Sequence, residues 1–213
     1  TRLAPFTHTV PKPMITVAGR PILERLLLHL MGCGIRSFFI SVNYLAHVIE
    51  NHFGDGSRFG CEITYLHEDR PLGTGGPIAM IPTPLEPVVV MNGDLVTQCD
   101  VGEMLDFHAR GGYVATIGLR EYLVEIPYGI AEVGDGRLVA LREKPVERKL
   151  VSAGTYILSP EAIRMIPVGE EYPITELFEH CLRADQPVGA FPITDEWMDV
   201  GRPDELRRAR GLA

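Results

Sequence analysis

The sequence predicts an α/β fold, a single Rossmann-like domain in which helices flank a central β-sheet. Short apolar runs that are typical of buried strands alternate with segments whose apolar residues have helical spacing. One run, Val-Val-Val-Met at 88–91, is apolar at every position, which is typical of a central strand buried on both faces. A chain of 213 residues that is 46% apolar is long enough for one sizeable core, so we expect one domain over residues 1–213.

The first half of the chain is predicted to alternate helices with strands. A helix from about Ile22 to Met31 gathers its leucines on one face and ends at Gly32 and Gly34. The run Ser-Phe-Phe-Ile-Ser-Val after Arg36 predicts a buried strand. A short helix at 46–53 and a strand at 62–66 follow, separated by a Gly-Asp-Gly turn at 54–56. This alternation indicates a parallel arrangement of the strands.

The second half adds a ribbon to this pattern. We predict a helix at 101–109 and a strand at 113–119. Between Tyr128 and Leu141, a Gly-Asp-Gly turn joins two alternating runs and predicts a small β-ribbon. The remaining predicted elements are a strand at 151–158 interrupted by Gly154, an amphipathic helix at 174–182, a strand at 188–193 and a closing helix at 204–209.

Charge and cysteine content argue against several classes of protein. The net charge of -8 leaves no basic patch large enough for a nucleic-acid backbone, so we expect no nucleic-acid partner. The four cysteines lie far apart without a C-x-x-C pair, which favours reduced thiols over disulfides or a zinc site. We find no membrane-spanning run and no signal peptide, so we expect a cytoplasmic protein without membrane insertion.

Three features carry candidate chemistry. Asp94 ends the 88–91 strand, at the edge where open α/β sheets bind ligands, so it is a candidate Mg²⁺ ligand; a helix-capping aspartate is the alternative. Lys12 lies between two prolines on a stiff segment, which suits a phosphate contact, although an ordinary surface lysine is the alternative. Glycines at 73, 75 and 76 allow a backbone to approach a flat or anionic ligand and offer it N–H groups, while plain turns use the same residues.

Taken in order, the motifs resemble the sugar-1-phosphate nucleotidylyltransferases, also called nucleotide-sugar pyrophosphorylases. The resemblance is to guanylyltransferase-like bacterial members that supply surface polysaccharides such as lipopolysaccharide or capsule, including forms fused to CBS domains. It implies a GT-A-like domain with a mixed seven-stranded sheet. The motifs are Thr-Arg-Leu at 1–3, Pro-Lys-Pro at 11–13, Leu-Gly-Thr-Gly-Gly at 72–76, Asn-Gly-Asp at 92–94, Tyr-Gly at 128–129, Glu-Lys-Pro at 143–145, Ser-Ala-Gly-Thr-Tyr at 152–156 and Trp-Met-Asp-Val-Gly-Arg-Pro at 197–203.

The resemblance implies a reaction in which a sugar 1-phosphate attacks the α-phosphorus of a nucleoside triphosphate, giving a nucleotide sugar and pyrophosphate. It implies that Asp94 and Asp199 hold Mg²⁺, that Arg2 grips the pyrophosphate, and that Lys12 neutralises the α-phosphate. Lys144 is implied to hold the sugar phosphate. The implied nucleotide contacts are Glu68, Gly73, Thr74 and Asn92. The implied sugar contacts are Gly129, Glu143, Gly154 and Thr155.

The position implied to read the base is Glu68, where uridylyl and thymidylyl enzymes tend to have glutamine. An ionised carboxylate only accepts hydrogen bonds, and guanine offers two neighbouring donors. Uracil and thymine place acceptors there, a mismatch that costs on the order of 1–3 kcal/mol. We therefore expect GTP and a sugar 1-phosphate as the substrates.

The first strand and Gly-Gly-x-Gly loop of the family, which normally precede Thr-Arg-Leu, do not occur in these residues; we expect them to be trimmed, disordered or absent. A non-catalytic nucleotide-sugar-binding regulatory subunit on the same fold is therefore the alternative function. A metal-dependent glycosyltransferase is less favoured because Asn92-Gly93-Asp94 lacks the first carboxylate of a D-x-D motif. The sugar, a homo-oligomer, and a fused or partner regulatory domain are left open.

Overall fold

The computed structural model describes residues 10–82, 84–200 and 203–211. Six α-helices and twelve strands form a mixed α/β fold in this part of the chain, which confirms the predicted class. The strands are β1 (Thr16–Val17), β2 (Arg20–Pro21), β3 (Ser37–Val42), β4 (Glu62–His67), β5 (Val88–Met91), β6 (Leu95–Thr97), β7 (Ala115–Glu125), β8 (Ile130–Gly134), β9 (Arg137–Arg142), β10 (Val146–Leu158), β11 (Val188–Pro192) and β12 (Trp197–Asp199). The helices are α1 (Ile22–Gly32), α2 (Ala46–Phe53), α3 (Val101–Gly111), α4 (Pro160–Ile163), α5 (Ile174–Arg183) and α6 (Pro203–Gly211). Among these described helices, none combines the length and the apolar character that a membrane span needs.

The largest sheet has four strands in the order β11-β7-β10-β5 and is mixed. Strands β7 and β11 run parallel, whereas β10 is antiparallel to both β7 and β5. The expected parallel arrangement therefore holds for β3 with β4 and for β7 with β11, but not for the whole molecule. The reason is that β7 returns through the predicted ribbon, β8 and β9, and such a short connection produces antiparallel neighbours.

The implied seven-stranded sheet is not continuous among the described residues. Strands β3 and β4 form a separate parallel pair, and β6 pairs with β12 outside the four-stranded sheet. Between β3 and β5 lies a cleft of about 550 Å³, which we call the central cleft. It is bounded by Ser37–Ser41 of β3, by Val88–Gly93, and by the leucines of α1.

The prediction that 88–91 forms a central strand is wrong in one respect. Val88 and Val90 pack towards one apolar cluster, and Val89 and Met91 towards another, so both faces of β5 do meet the core. All four residues are nevertheless only half-buried, because β5 pairs with β10 along one edge and faces the central cleft along the other. Within the described chain β5 is an edge strand.

The largest core cluster packs β10 and β7 against α4 and α5. It contains Tyr156, Leu158 and Ala115 of the sheet and Leu177 of α5, all nearly or fully buried. A smaller cluster packs Leu26 and Leu30 of α1 beneath the central cleft. The sheet and α5 thus form a well-packed wall on one side of the cleft, and α1 forms its floor.

Candidate functional site

Two carboxylates that are remote in sequence meet because β6 and β12 pair. Asp94 comes directly before β6, and Asp199 ends β12 opposite Leu95. The backbone N–H of Val200 donates to the carbonyl of Asp94 at 3.2 Å, which extends the pairing to the aspartates themselves. The structure therefore brings together the two residues that the resemblance implies as metal ligands.

Lys12 completes this cluster. Its Nζ donates to the carboxylate of Asp94 and lies 3.5 Å from Oδ1 of Asp199. The lysine belongs to a short 3-10 helix, Lys12–Met14, that is anchored by the buried side chain of Met14. Pro13 packs beside Gly93, where an added Cβ would lie 3.7 Å from the proline ring. The prolines predicted to stiffen this segment therefore hold Lys12 against the carboxylates.

The electrostatics of the cluster favour a cation between the carboxylates. Burial raises the pKa of Asp199 above its usual range, and the nearby charge of Asp94 raises it further, while Lys12 lowers it. The side chains of Lys12 and Asp94 are 22% and 23% exposed and that of Asp199 is 49% exposed, so water screens the pair only in part. Two like charges held this close are stabilised by any positive group placed between them.

The donor set fits Mg²⁺. Carboxylate oxygens are the ligands that this ion prefers, and it usually keeps several waters and binds through one or two carboxylates together with substrate phosphates. Asp94 and Asp199 supply those two carboxylates. Over residues 10–82, 84–200 and 203–211 the chain offers no cluster of three or more His, Cys, Asp or Glu, so an all-protein cage is not built there.

The four implied nucleotide contacts all line the central cleft. Glu68, Gly73, Thr74 and Asn92 border it at the end where β3 and β5 stop, next to Gly93 and hence to Asp94. Glu68 is fixed at this end by two hydrogen bonds: Ser41 Oγ donates to Oε1, and the N–H of Leu72 donates to Oε2 at 2.8 Å. Ser41, which lies exposed on β3, is a residue that the sequence reasoning missed.

The glycine-rich loop serves the protein's own packing as well as the cleft. The N–H groups of Gly75 and Gly76 both donate to the carbonyl of Tyr172, at 2.8 and 3.1 Å, so they do not point to a ligand as the sequence predicted. Thr74 Oγ1 accepts from the N–H of Ile174 at 3.0 Å and so caps the start of α5. The close backbone approach that the glycines predicted is made by residues 170–174.

The implied sugar contacts fall into two places. Gly129 directly precedes β8, and Glu143 lies in the exposed turn between β9 and β10; a Cβ added to Gly129 would lie 3.0 Å from Glu143 Oε2, so these two residues are neighbours. Lys144, also exposed, has a positive φ of 42° there, and no ion pair joins it to Asp94 or Asp199 in the described part of the chain. Gly129 and Glu143 are thus neighbours, and Lys144 follows Glu143 in the same turn.

Gly154 and Thr155 lie next to the nucleotide end of the cleft. Gly154 has a φ of +68° in a bulge of β10, and an added Cβ would lie 2.6 Å from Asn92 Nδ2. Asn92 N–H donates to the Gly154 carbonyl at 2.9 Å. Thr155 is fully buried, and its hydroxyl has no hydrogen-bond partner among the described residues. The bulge therefore links an implied sugar residue directly to an implied nucleotide residue.

Trp197 supports this bulge from the other side. Its Nε1 donates to the carbonyl of Ala153 at 2.7 Å, and its strand ends at Asp199. This contact packs Trp197 against β10, on the strand that ends at Asp199. Arg2, the implied pyrophosphate contact, lies outside the described residues.

The chain is similar in sequence to known nucleotidyl transferases. The family described as "Nucleotidyl transferase" matches residues 1–211. The chain is 34% identical to a UTP–glucose-1-phosphate uridylyltransferase of Synechocystis sp., with 100% of this chain and 60% of the relative covered. It is also 34% identical to a mannose-1-phosphate guanylyltransferase of Mycobacterium tuberculosis, with 100% and 63% covered.

A solved structure shares the fold. The UDP-glucose pyrophosphorylase from Acinetobacter baumanii superimposes with a TM-score of 0.73 at 19% identity, covering 99% of this chain and 88% of that one. The chain spans only about three fifths of the length of the curated relatives above, at 60% and 63%. The match over residues 1–211 and the two 34% identities show that the chain belongs to the nucleotidyl transferase family.

Proposed function

We propose that this protein transfers a nucleotidyl group from a nucleoside triphosphate to a sugar 1-phosphate and releases pyrophosphate. The observation that carries the proposal is the cluster of Lys12, Asp94 and Asp199 beside the cleft that Glu68 and Asn92 line. The reaction brings two anions together, so its catalyst needs positive charge and fixed positions more than covalent chemistry. The cluster supplies both.

The residues of the cluster take complementary parts. Lys12 is held by the prolines and by Met14, so its ammonium meets an α-phosphate without first having to be ordered. Asp94 and Asp199 would hold Mg²⁺, and the ion would supply positive charge to stabilise the phosphates. When the substrate phosphate arrives, the ammonium of Lys12 moves from the carboxylates to the phosphate and neutralises its negative charge.

The sugar half of the substrate is held by the second group of residues. Glu143 accepts hydrogen bonds from sugar hydroxyls beside the open backbone of Gly129, and Lys144 holds the sugar phosphate as a point charge. Lys144 lies on an exposed turn, so a sugar phosphate can reach its ammonium from solvent. Gly154 of the bulge packs directly against Asn92, so the proposed sugar contact and the proposed nucleotide contact adjoin.

We propose GTP as the nucleotide. Overall similarity does not decide the base, since a uridylyltransferase and a guanylyltransferase are both 34% identical to this chain. Glu68 supports GTP: each of its carboxylate oxygens already accepts one hydrogen bond from the protein and retains a further acceptor site. Two acceptors side by side match the two neighbouring donors of guanine. The product is then a GDP-sugar for the synthesis of surface polysaccharide or other glycans.

Pyrophosphate release tests the proposed reaction. The protein is incubated with Mg²⁺, with GTP, UTP, dTTP, ATP or CTP in turn, and with a panel of sugar 1-phosphates. We expect release with GTP and at least one sugar 1-phosphate, and loss of release when EDTA removes the metal. If no pair gives pyrophosphate while a nucleotide sugar still binds, the regulatory-subunit alternative replaces this proposal.

A further inference from the structure

The two carboxylates lie on a strand pair that is separate from the four-stranded sheet. Among the described strands, β6 pairs with β12 alone, and Asp94 and Asp199 lie at one end of this pair. Asn92 and Gly154, the proposed contacts of the nucleotide and the sugar, lie where β5 and β10 of the four-stranded sheet meet. The position of the carboxylates relative to the substrates therefore depends on how the strand pair is held against the sheet.

Two hydrogen bonds tie the segments that carry the carboxylates to the bulge of β10. The N–H of Asn92 donates to the carbonyl of Gly154 at 2.9 Å. The indole Nε1 of Trp197 donates to the carbonyl of Ala153 at 2.7 Å. Each donor lies two residues before one of the carboxylates, so adjacent carbonyls of the bulge anchor both segments.

The bulge supplies these carbonyls because it interrupts the ladder between β7 and β10. Residues 153–155 lie opposite Gly118 alone, whereas the flanking residues of β10 pair one to one with β7. A bulge leaves peptide groups outside the ladder, where other elements can bond to them. Leu95, the first residue of β6, also packs at the bulge, since a Cβ added to Gly154 would lie 3.3 Å from its Cδ1. The strand pair thus contacts the bulge through both of its strands.

Trp197 and Asp199 lie on the same face of β12. Successive side chains of a strand point to opposite faces, and Met198 between them packs with Val96 against the apolar cluster that joins α1 and α6. Trp197 packs instead against the cluster that contains Ala153. The face of β12 that carries the indole and the carboxylate is therefore turned towards the four-stranded sheet.

Arg120 of β7 holds the indole from a further direction. Its guanidinium carbon lies 5.8 Å from the centre of the Trp197 ring, and its Nη1 donates to the carbonyl of Asp195 at 2.7 Å. A cation within about 6 Å of an indole face is attracted to it. Any carbonyl would satisfy a half-buried indole N–H. These contacts, however, fix the ring at the bulge, two residues before Asp199.

We propose that Trp197 is a positioning residue for the proposed reaction: its indole N–H anchors the β6–β12 pair to the bulge and so places both carboxylates against the bound substrates. The inference rests on the proposed function. Because β6 and β12 keep Asp94 and Asp199 together without the indole, the anchor governs where the carboxylates lie and not whether they bind a cation. A misplacement of about 1 Å costs on the order of a hundredfold in rate.

The test removes the indole N–H and keeps an aromatic ring. Trp197 is the only tryptophan of the chain, so benzothienylalanine incorporated in place of tryptophan exchanges this one N–H for sulfur; Trp197→Phe is the second variant. We expect kcat for pyrophosphate release to fall by at least about tenfold, while KM for GTP and for the sugar 1-phosphate stays within about threefold. Mn²⁺ binding, measured by EPR, should also stay within about threefold of wild type.

Tyr65→Phe is the matched control, because the hydroxyl of Tyr65 likewise donates to a backbone carbonyl, that of Gly54, at 2.7 Å. It should lower the thermal melting temperature about as much as the variants at 197 and leave kcat unchanged. Wild-type kcat in both folded variants overturns the inference. So does a raised KM for the sugar 1-phosphate at unchanged kcat, which would make Trp197 a sugar contact, or a loss of Mn²⁺ binding, which would place its effect on the carboxylates themselves. No pyrophosphate release by the wild-type protein overturns the proposed function and this inference with it.

Discussion

Asp94 and Asp199 are the residues to which we assign the metal in the proposed reaction; each is held by strand pairing while its carboxylate stays partly open to water. The raised pKa of Asp199 follows from its burial and from the charge of Asp94. If Asp199 served stability alone, replacing its carboxylate with a neutral group would make the folded protein more stable. The cost of keeping it is consistent with a role in binding a cation.

Asp199→Asn tests this role. We expect the variant to fold with unchanged or higher thermal stability, since a partly buried like charge is removed, and to lose at least about a hundredfold in turnover because a metal ligand is lost. Initial rates of pyrophosphate release and a thermal melt measure the two effects. Asp135→Asn, in the exposed turn between β8 and β9, is the matched control and should leave both unchanged. Near-normal turnover of Asp199→Asn would remove this residue from the site.

Glu68→Gln tests the base preference. The amide keeps one acceptor for Leu72 N–H and gains a donor for Ser41, so the local fold should survive. One of the two acceptors offered to guanine becomes a donor, and we expect the ratio of kcat/KM for GTP over UTP to fall by roughly tenfold or more. Glu62→Gln, exposed at the start of β4, the strand that ends just before Glu68, is the control. An unchanged ratio in Glu68→Gln would mean that the base is read elsewhere.

At the scale of elements, the loop of residues 72–76 packs closely against the segment that leads into α5. Gly73, Gly75 and Gly76 pack against the backbone of residues 170–174, and Thr74 caps α5. This packing ties one wall of the central cleft to the helix behind the sheet. The glycines are therefore required by the protein's own backbone, whatever ligand the cleft binds.

Gly76→Ala measures that requirement. The added Cβ would lie 2.5 Å from the Glu170 carbonyl and 2.8 Å from Leu72 Cβ, so backbone must shift. We expect a loss of about 1–3 kcal/mol in the free energy of unfolding, as for other overpacked sites. Gly32→Ala, in the last turn of α1 with nothing within 4 Å, should be neutral or stabilising by about 0.5–1 kcal/mol. Equal stabilities of the two variants in urea would contradict this account of the loop.

A second element-scale feature is the buried histidine that joins α3 to the sheet. His108 Nδ1 and Nε2 lie 2.8 Å from Thr116 Oγ1 and 2.9 Å from Ser159 Oγ. Ser159 Oγ donates to the Tyr113 carbonyl, so it accepts from Nε2–H, and Nδ1 accepts from the Thr116 hydroxyl. The neutral imidazole thus satisfies both neighbours, and burial lowers the pKa of His108.

This lowered pKa predicts a pH dependence of stability. The unfolded chain takes up the proton near the ordinary value of 6.5, whereas the folded protein resists it, so the unfolded state binds more protons in that range. The free energy of unfolding should therefore fall as pH drops through 6.5, and level off below the lowered pKa. His108→Gln should flatten the curve in this range, and His180→Gln, an exposed position on α5, should not. An unaltered curve in His108→Gln would assign the dependence to other groups.

For the whole molecule, local patterns predicted the elements but not how they meet. Helical spacing and the glycines at its end predicted α1, and the Gly-Asp-Gly turn predicted the β8–β9 ribbon. Both predictions succeeded because these elements depend on residues that are close in sequence. The edge position of β5 depends on which strands flank it, which the run Val-Val-Val-Met does not encode. Similarly, the partner of the Gly75 and Gly76 amides, Tyr172, lies about a hundred residues away and left no local trace.

The carboxylate pair was predicted from the resemblance and not from spacing. Asp94 could be placed at a strand end from its own neighbours, whereas Asp199 meets it only through the pairing of β6 with β12. The contact of Lys12 with both carboxylates was not predicted, since the sequence suggested a phosphate contact. The carboxylate contact and the phosphate contact are compatible if the ammonium of Lys12 neutralises the carboxylates in the free protein and the phosphate when substrate is bound.

The central claim is that the Lys12, Asp94 and Asp199 cluster supports nucleotidyl transfer. The most direct measurement is the initial rate of pyrophosphate release with Mg²⁺, GTP and the best sugar 1-phosphate, compared between the wild-type protein and Asp94→Asn, with Asp135→Asn as control. We predict that the wild-type and control rates agree and that Asp94→Asn is at least about a hundredfold slower while remaining folded. Equal rates in a folded Asp94→Asn variant would contradict the claim.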